Sequence, residues 1–267
     1  MNEKKLILLI GCLSLCWGLL NCTSGGQNRE SKKNENQRTQ NVVAYVAGYR
    51  SFDFATIDAR KLTHINYAFV NIREGEVVFD TTKIDGKSLT PKDLDALLSL
   101  KKSNPELKIL ASAGGWTWSK GFSDAALTNE SRDKFAVSCA RLITQYHLDG
   151  IDIDWEYPNQ SGAGNTFRPE DIHNFTLMLK AVRENLDKLS AANSGAHYLL
   201  TIATGADLDY VKNTELGELQ QYVDFINIMT YDFTMGGIKL PVITVIYIRQ
   251  PLLKKIKTRL WMLLNCI

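Results

Sequence analysis

From Val42 onward, short runs of β-branched, aliphatic and aromatic residues alternate with longer stretches of helical periodicity. This alternation is typical of βα units that build a parallel sheet. The apolar runs predict six strands, over residues 42–49, 64–70, 108–113, 150–156, 198–204 and 225–230. The helical pattern predicts four helices, over residues 91–102, 129–146, 169–189 and 214–222. Thr128 and Pro169 are expected starting residues for the second and third of these helices. Six units fit either an open doubly wound sheet or an incomplete eight-unit barrel.

Two local patterns add detail to this outline. The helix predicted over residues 129–146 has an apolar stripe that includes Cys139, so we expect this thiol to be buried and inert. The stretch over residues 71–90 is long for a βα loop. It contains Glu76-Val77-Val78-Phe79, which predicts a small hairpin over the end of the sheet.

The first forty residues follow a different pattern. Lys4 and Lys5 precede an uncharged, largely apolar run over residues 6–20, as in a secretory signal, and this run is too short for a confident membrane span. Residues 23–41 contain no hydrophobic residue type, so we expect a disordered tether. Three of the five cysteines lie within the first 22 residues, and cysteine counting therefore says little about disulfides.

The surroundings of Cys22 resemble the end of a bacterial lipoprotein signal, in which the cysteine becomes the lipidated first residue. Asn21 departs from the small residue usually found before that cysteine. Cys12 has a better local match, but cleavage there would leave an apolar region of only about five residues, below the usual length. We favour a lipoprotein-type signal over residues 1–22, anchored at Cys22, with plain secretion or an uncleaved anchor as alternatives.

Composition and charge narrow the choice of partners. The chain has 267 residues, of which 45% are hydrophobic and 22% charged, values near the average for a globular protein. Lys and Arg number 31 against 29 Asp and Glu. Because this balance leaves no basic excess, nucleic acid is not an expected partner.

One predicted strand is unusually acidic. In Asp149-Gly150-Ile151-Asp152-Ile153-Asp154-Trp155-Glu156, the strand period of two places Asp152, Asp154 and Glu156 on one face. Helices must cover the opposite, apolar face, so the acids would point into a barrel or cleft. Like charges this close cannot all ionise cheaply, and at least one carboxyl should hold a proton near neutral pH, as general acid chemistry requires.

A divalent-metal site or a merely polar strand are the alternatives for these acids. The four histidines have no ligand spacing with them, so we expect no metal and no cofactor. The four are His64, His147, His173 and His197.

The motifs along the chain resemble those of family 18 glycoside hydrolases, the chitinases and their relatives. The family signature DxxDxDxE is matched by Asp149, Asp152, Asp154 and Glu156. Ser112-Ala113-Gly114-Gly115 resembles the family's SxGG, and Met229-Thr230-Tyr231-Asp232 its MxYD. The resemblance covers about residues 42–236. It implies a (β/α)8 barrel with the active site at the carboxyl ends of the strands, within a catalytic domain over residues 42–237.

The family hydrolyses β-1,4 links between N-acetylglucosamine units by a substrate-assisted, retaining route. The resemblance therefore implies that Glu156 protonates the glycosidic oxygen while the substrate's acetamido carbonyl attacks the anomeric carbon. Asp154 would orient the acetamido N–H, with Asp152 sharing charge or a proton beneath it. Tyr231 would donate its hydroxyl to the acetamido oxygen.

The resemblance also implies a cleft that holds sugar rings, for which aromatic side chains at strand ends are suited. The matching substrate-binding positions are Tyr49, Phe69, Ser112, Trp116, Tyr157, Met229 and Asp232. Ser112 is expected to support the carboxylates rather than touch substrate, and Asp149 to be structural. Trp118 and Phe122 could line the cleft or pack in the core, while Gly114 and Gly115 allow close backbone approach.

Residues 238–267 depart from the family pattern. They form an apolar and basic stretch, strand-like over 242–248, where the family would have its seventh and eighth strands. We expect an aberrant ending from a frame change or early stop, or else a shortened substitute or membrane-contacting segment. A barrel without two strands would expose sheet edges, so we expect weak or no activity.

The resemblance thus implies an enzyme that acts on chitin or another N-acetylglucosamine glycan. With the N-terminal signal, we expect it to be a monomer that is secreted or held at the cell surface. An endo-β-N-acetylglucosaminidase that trims N-glycans shares the catalytic strand and remains an alternative. A non-catalytic sugar-binding protein is a further one, although the acid at Glu156 is intact.

Overall fold

The structure is a computed structural model that describes residues 40–50, 53–80 and 91–232, together with the backbone of 246–249. Its centre is a parallel sheet of six strands, each hydrogen-bonded to its neighbours in the order of the chain. A short additional strand, β3 (Glu76–Val78), lies outside this order. The strands are β1 (Val43–Ala47), β2 (His64–Arg73), β4 (Lys108–Gly114), β5 (Gly150–Asp154), β6 (Leu199–Gly205) and β7 (Phe225–Met229). This arrangement confirms the predicted incomplete (β/α)8 barrel. The predicted signal and its anchor at Cys22, and almost all of the tether, lie outside the described residues.

The hairpin predicted after the second strand is confirmed. Strand β3 (Glu76–Val78) pairs antiparallel with the end of β2, Arg73 opposite Glu76. It also packs against a helix, because the Val77 N–H donates to the Ser138 hydroxyl at 2.9 Å. The hairpin therefore ties the long β2 strand to the outer layer of the barrel.

Helices cover the outside of the sheet. They are α1 (Pro91–Ser99), α2 (Gly115–Trp118), α3 (Phe122–Ala125), α4 (Asn129–Tyr146), α5 (Asp171–Ala192), α6 (Leu208–Lys212) and α7 (Leu216–Leu219). The helix predicted over 129–146 has those bounds, and a capping box formed by Thr128 and Ser131 starts it. None of the helices in the described part of the chain is long and apolar enough to cross a membrane.

Two helix predictions were less accurate. The third helix starts at Asp171 rather than at Pro169 and runs on to Ala192. The helix predicted over 214–222 is wrong in extent, since within that region the structure has only the short helix α7 (Leu216–Leu219), and the neighbouring α6 ends before it at Lys212. The sequence Asn213-Thr214-Glu215 separates α6 from α7, and the Thr214 hydroxyl donates a hydrogen bond back to the Tyr210 carbonyl.

The core lies between the sheet and its helices. Ile151, Ile153 and Trp155 project outward from β5 and its continuation, and all three are fully buried. Trp155 stacks on Phe122 with ring centroids 5.3 Å apart and contacts Phe175 edge-on at the same distance. Burial of such large side chains stabilises the fold by about 1.5–3 kcal/mol each. The apolar side of β5 thus anchors the strand whose other side carries the acids.

Cys139 lies in this core on α4, as predicted. Its side chain is fully buried, and burial raises the pKa of the thiol far above its ordinary value. The thiolate is therefore not formed at physiological pH, and the thiol is chemically inert.

Beyond Asp232, the structure describes only the backbone of β8 (Ile246–Arg249). This strand pairs antiparallel with β7, Ile228 opposite Ile246. The strand-like pattern predicted over 242–248 is confirmed for residues 246–248, although an antiparallel neighbour is not a further βα unit. The other expectations for residues 238–267 lie outside the described residues.

Candidate active site

The acids of β5 stand at the carboxyl end of the barrel. Asp152 and Asp154 lie on the face opposite Ile151 and Ile153, as the strand period predicts, and both are buried. The strand itself ends at Asp154, two residues earlier than predicted. Glu156 follows beyond it and is only partly buried, while Trp155 between them packs in the core. The alternation thus continues past the strand, and the third carboxyl lies at the mouth of the barrel.

Asp152 is the deepest of the three acids and accepts four hydrogen bonds. Its Oδ2 accepts from the hydroxyls of Tyr45 (2.9 Å) and Ser112 (2.7 Å). Its Oδ1 accepts from the Thr201 hydroxyl (2.5 Å) and the Asn227 amide (3.3 Å). Burial raises the pKa of Asp152, and these four donors oppose that rise.

Strand register explains why these donors meet Asp152. Ser112 on β4 and Thr201 on β6 both pair with Asp152 across the sheet, so the three side chains form one row inside the barrel. Tyr45 on β1 also accepts a hydrogen bond from Asn227 on β7 at 3.0 Å. The donors therefore come from four different strands, and closure of the sheet brings them together.

Asp154 lies one layer above and has a different environment. It is only 3% exposed, and its Oδ1 has no hydrogen-bond partner within the described part of the chain. Burial raises the pKa of Asp154 well above its ordinary value, and the negative charges of Glu156 and Asp152 raise it further. This carboxyl is therefore arranged to hold a proton, or to accept one from a group that enters the site.

Glu156 is held by the segment that follows β4. Its backbone N–H donates to the Ser119 hydroxyl at 2.9 Å. Burial raises the pKa of its carboxyl, and the charge of Asp232 also raises it. The Tyr157 hydroxyl and the Trp116 backbone N–H act in the opposite direction and lower this pKa. The net rise favours the protonated form that a general acid needs.

Two glycines let this segment approach β5. Gly114 has φ +106°, and a Cβ placed on it would lie 2.3 Å from the Asp154 carbonyl oxygen. Gly115 has φ +75°, and a Cβ there would lie 2.7 Å from the Phe69 ring. Both positions therefore require glycine, and the close approach brings Trp116 and Ser119 against Glu156.

The end of β7 supplies the residues of the third motif. Tyr231 is 43% exposed, and burial raises the pKa of its hydroxyl to about 12, with the charge of Asp154 next in effect. The hydroxyl therefore stays protonated and can donate at neutral pH. Asp232 is exposed and adopts φ +61°, and Met229 is partly buried.

A cavity of about 240 Å³ lies inside this end of the barrel. Among the predicted site residues, its lining includes Tyr49, Phe69, Asp154, Met229 and Tyr231. Tyr49 and Phe69 stack with ring planes 12° apart, and their centroids are separated by 6.4 Å. The cavity thus combines a buried acid with apolar and aromatic walls, as a sugar site requires.

Trp116 and Tyr157 form a second aromatic pair beside Glu156. Their ring centroids are 6.5 Å apart, and Trp116 is 49% exposed. Such an exposed indole next to an acid can cover the apolar face of a ligand.

Other predicted residues lie away from the cleft surface. Ser112 is fully buried and its hydroxyl is used by Asp152, so it supports the carboxylates. Phe122 is fully buried against Trp155, and Trp118 packs on the same core. The two aromatic residues left open by the sequence are therefore core residues.

Asp149 begins the acid motif but lies at the other end of β5. Its Oδ2 accepts from the Lys101 ammonium at 2.6 Å and from the Ile109 N–H at 2.7 Å. These contacts join β4, β5 and the turn after α1, which is the structural role predicted for this residue.

Four residues of the site were missed in the sequence: Tyr45, Thr201, Asn227 and Tyr210. The first three donate to Asp152, as described above. Tyr210 is 1% exposed, its hydroxyl has no partner among the described residues, and its ring contacts Tyr157 edge-on at 6.0 Å. The strand period could have placed Tyr45 on the same face of β1 as Tyr49, whereas single Thr and Asn residues carry no signal without register.

In the part of the chain that the structure describes, no three His, Cys, Asp or Glu side chains are grouped so that they could hold a metal ion. No Lys or Arg of the described residues forms an ion pair with Asp152, Asp154 or Glu156 either. The negative charge of the site is therefore balanced by hydrogen bonds and protonation.

Comparison with known proteins agrees with this geometry. The chain is 40% identical to Chitinase A1 of Niallia circulans over 237 residues, which covers 72% of this chain and 34% of that protein. It is 36% identical to Chitinase 1 of Aphanocladium album, covering 69% of this chain and 45% of the other. The chain therefore spans about a third to a half of the length of these relatives.

Solved structures give the same result. A family 18 N-acetylglucosaminidase from Paenibacillus barengoltzii matches with a TM-score of 0.64 and 43% identity, over 72% of this chain and 54% of that one. A cell-surface-expressed multi-modular chitinase from Paenibacillus sp. FPU-7 matches with a TM-score of 0.67 and 41% identity, over 73% and 25% of the two chains.

The sequence model described as "Glycosyl hydrolases family 18" matches residues 40–248, which is more than half of the chain and includes all three motifs. With the barrel, the buried acids and the tyrosine at the end of β7, this match shows that the chain belongs to glycoside hydrolase family 18.

Proposed function

We propose that this protein hydrolyses β-1,4-linked polymers and oligomers of N-acetylglucosamine, with retention of the anomeric configuration. The observation that carries the proposal is the buried Asp154, whose Oδ1 has no partner among the described residues and lies between Asp152 and Glu156. A carboxyl so placed can accept the acetamido N–H of a substrate sugar. The curated relatives with the same motifs bear the name chitinase.

The mechanism starts with Glu156 in its protonated form, which burial and the charge of Asp232 favour. Glu156 gives its proton to the glycosidic oxygen as the bond to the leaving sugar breaks. The substrate's acetamido carbonyl oxygen attacks the anomeric carbon and forms an oxazolinium ion. Water then attacks that carbon, and Glu156 takes the proton from the water as a general base.

Neighbouring groups hold the acetamido group in place. Asp154 accepts its N–H and stabilises the positive charge of the intermediate, while the Tyr231 hydroxyl, protonated at neutral pH, donates to its oxygen. Asp152 is fixed from below by its four donors. Since the nucleophile belongs to the substrate, the mechanism needs an N-acetyl group at the bond that is cut.

Substrate comparison tests the proposal. Purified full-length chain is incubated separately with the hexamer of N-acetylglucosamine, its de-acetylated form and a glucose hexamer, and early products are observed by proton NMR. We expect cleavage of the acetylated hexamer alone, with the β-anomer formed first. Comparable cleavage of the glucose hexamer, or initial release of the α-anomer, would contradict the mechanism.

An N-glycan with its core chitobiose serves as a further substrate in that assay. Preferential cleavage of this glycan would favour the endo-β-N-acetylglucosaminidase alternative. Binding of the acetylated hexamer without any cleavage would favour a non-catalytic sugar-binding protein.

We also propose that the enzyme is a monomer held at the cell surface by a lipid on Cys22, with residues 23–41 as a tether. The apolar run before Cys22 and the polar composition after it support this location. The similar chitinase from Paenibacillus sp. FPU-7 is itself a cell-surface-expressed enzyme. Mass spectrometry of the mature N-terminus tests the anchor, since a lipidated Cys22 is expected and a soluble, unmodified product would contradict it.

A further inference from the structure

The loop that carries Glu156 and Tyr157 runs over residues 155–170, and its two ends meet at one buried carboxylate. Asp171, the first residue of α5, is fully buried. Its Oδ2 accepts the Arg168 N–H at 2.8 Å and the Asn159 N–H at 3.3 Å. Asn159 lies three residues after Glu156, and Arg168 is three residues before Asp171. One oxygen therefore fastens both the start and the end of the loop.

The other oxygen of Asp171 connects the loop to α3. Its Oδ1 accepts the Ser123 hydroxyl at 2.7 Å, and Ser123 is itself fully buried. The Ser123 oxygen accepts in turn from Nη1 of Arg168 at 2.6 Å, while Nη2 of Arg168 donates to Asp124 at 2.5 Å. The guanidinium thus supports the buried carboxylate through one hydroxyl and crosses from the loop to α3.

The segment that includes α3 also contacts Glu156. The Ser119 hydroxyl accepts the Glu156 N–H at 2.9 Å, and the Trp116 backbone N–H lowers the pKa of the Glu156 carboxyl. Ser119 lies four residues before Ser123. The two segments that contact Glu156 are therefore joined to each other at Asp171.

Helix capping alone does not explain why the Asp171 carboxylate is fully buried. The residue before it, Glu170, makes no side-chain cap bond, and Asp171 accepts no hydrogen bond from its own helix in the contacts above. An acidic residue in a first helical turn is favourable even when exposed to solvent. Full burial is costly unless the charge is hydrogen-bonded, and here the donors come from the loop and from α3.

We propose that Asp171 is a positioning residue for Glu156, which fastens the β5–α5 loop to α3 and so fixes the acid relative to the substrate. Asp171 itself touches neither the cavity nor the reacting atoms. The expected effect of Asp171 on the reaction rate rests on the proposed hydrolysis, whereas its expected effect on the stability of the 155–170 loop does not. A displacement of a catalytic group by about 1 Å can lower a rate by about 100-fold.

The test compares two variants with one matched control. Asp171→Asn replaces one acceptor oxygen by an amide donor and so breaks a bond to Ser123 or to the loop. Ser123→Ala removes the bonds of Ser123 to Asp171 and Arg168 but leaves the contact of Arg168 with Asp124, so it is the milder change if Asp171→Asn folds poorly. The control is Asp93→Asn, because Asp93 is also a buried aspartate in the first turn of a helix. It accepts a hydrogen bond from the Tyr67 hydroxyl at 2.9 Å.

For Asp171→Asn we expect kcat on the acetylated hexamer to fall about 10- to 100-fold, with KM within about twofold of the wild type. Ser123→Ala should show a smaller fall in the same direction. Asp93→Asn should lower the melting temperature without this change in kcat. Equal losses in all three variants, in proportion to their folded fraction, would overturn the proposal.

Two readouts without substrate keep this result separate from the proposed function. Hydrogen exchange of peptides within 156–168 should accelerate in Asp171→Asn and not in Asp93→Asn. The pKa of Glu156, followed by carbon NMR of its carboxyl, should fall in Asp171→Asn, because a loosened loop lets water reach it. Unchanged exchange and an unchanged Glu156 titration would overturn the proposal. If the wild type cleaves no hexamer, the proposed hydrolysis is contradicted, and these two readouts still decide the role of Asp171.

Discussion

The two ends of β5 carry the same kind of side chain in opposite settings. At the amino end, Asp149 faces the Lys101 ammonium at 2.6 Å and a backbone N–H, and its side chain is 19% exposed. At the carboxyl end, Asp154 is 3% exposed and its neighbours Asp152 and Glu156 are also acids. A carboxylate matched by a cation stabilises a fold, whereas one buried among like charges acquires a raised pKa and with it the capacity for proton chemistry.

The largest effect expected from this comparison is at Glu156. Glu156→Gln keeps the size of the side chain but replaces the carboxyl by an amide that cannot act as a general acid. We therefore expect kcat to fall by about 10²- to 10⁴-fold, while the melting temperature is not lowered. Hydrolysis of the acetylated hexamer and thermal unfolding measure the two. Glu184→Gln on the outer face of α5 is the control and should keep wild-type kcat. Substantial activity of Glu156→Gln would remove the chemical role assigned to this end of β5.

The next effect is at Asp154. Asp154→Asn removes the charge that is to stabilise the oxazolinium ion, and we expect a fall in kcat of about 10²- to 10³-fold. Because the buried carboxyl has no cation partner among the described residues, its neutral replacement should leave the free energy of unfolding unchanged or raise it. A variant that is less stable yet fully active would show that Asp154 is a structural acid like Asp149.

The contrast between the two ends was partly predictable from the sequence. The period of two placed Asp152 and Asp154 on one face, and the three motifs placed Glu156 and Tyr231 at strand ends. The helix over 129–146 was predicted to the residue because Thr128 and the apolar stripe both mark it. These features are local in sequence, so no knowledge of distant contacts was needed.

The remaining features depend on contacts between distant residues. Thr201 and Asn227 reach Asp152 through strand register, at sequence separations of 49 and 75 residues. The pairing of Lys101 with Asp149 likewise follows from the packing of β4 beside β5, and the sequence offers no reason to choose that lysine. The pattern predicts a helix over 214–222 where the structure has only the short α7, and it does not predict α6, which ends where the Thr214 hydroxyl bonds back to the Tyr210 carbonyl.

A third prediction concerns the amino end of β5. Asp149→Asn loses the ion pair with Lys101 and weakens the bond to the Ile109 N–H, so the free energy of unfolding should fall by about 1–3 kcal/mol. Since Asp149 is far from the reacting groups, kcat per folded molecule should not change. Urea unfolding and the hexamer assay measure the two quantities. In a double-mutant cycle, Lys101→Met should cost less in the Asp149→Asn background than in the wild type, and equal costs would show that the pair contributes nothing.

The smallest effect expected is a shift in pH dependence at the carboxyl end. The negative charge of Asp232 contributes to the raised pKa of Glu156, so Asp232→Asn should lower that pKa. Glu156 must be protonated to act as the acid, and kcat/KM therefore falls as the pH rises through its pKa. In Asp232→Asn this fall should begin at lower pH. Added salt should reduce the difference between the two profiles, because it screens an exposed charge. No shift at low ionic strength would mean that burial alone sets the titration of Glu156. A shift toward higher pH would contradict the expected effect of the Asp232 charge.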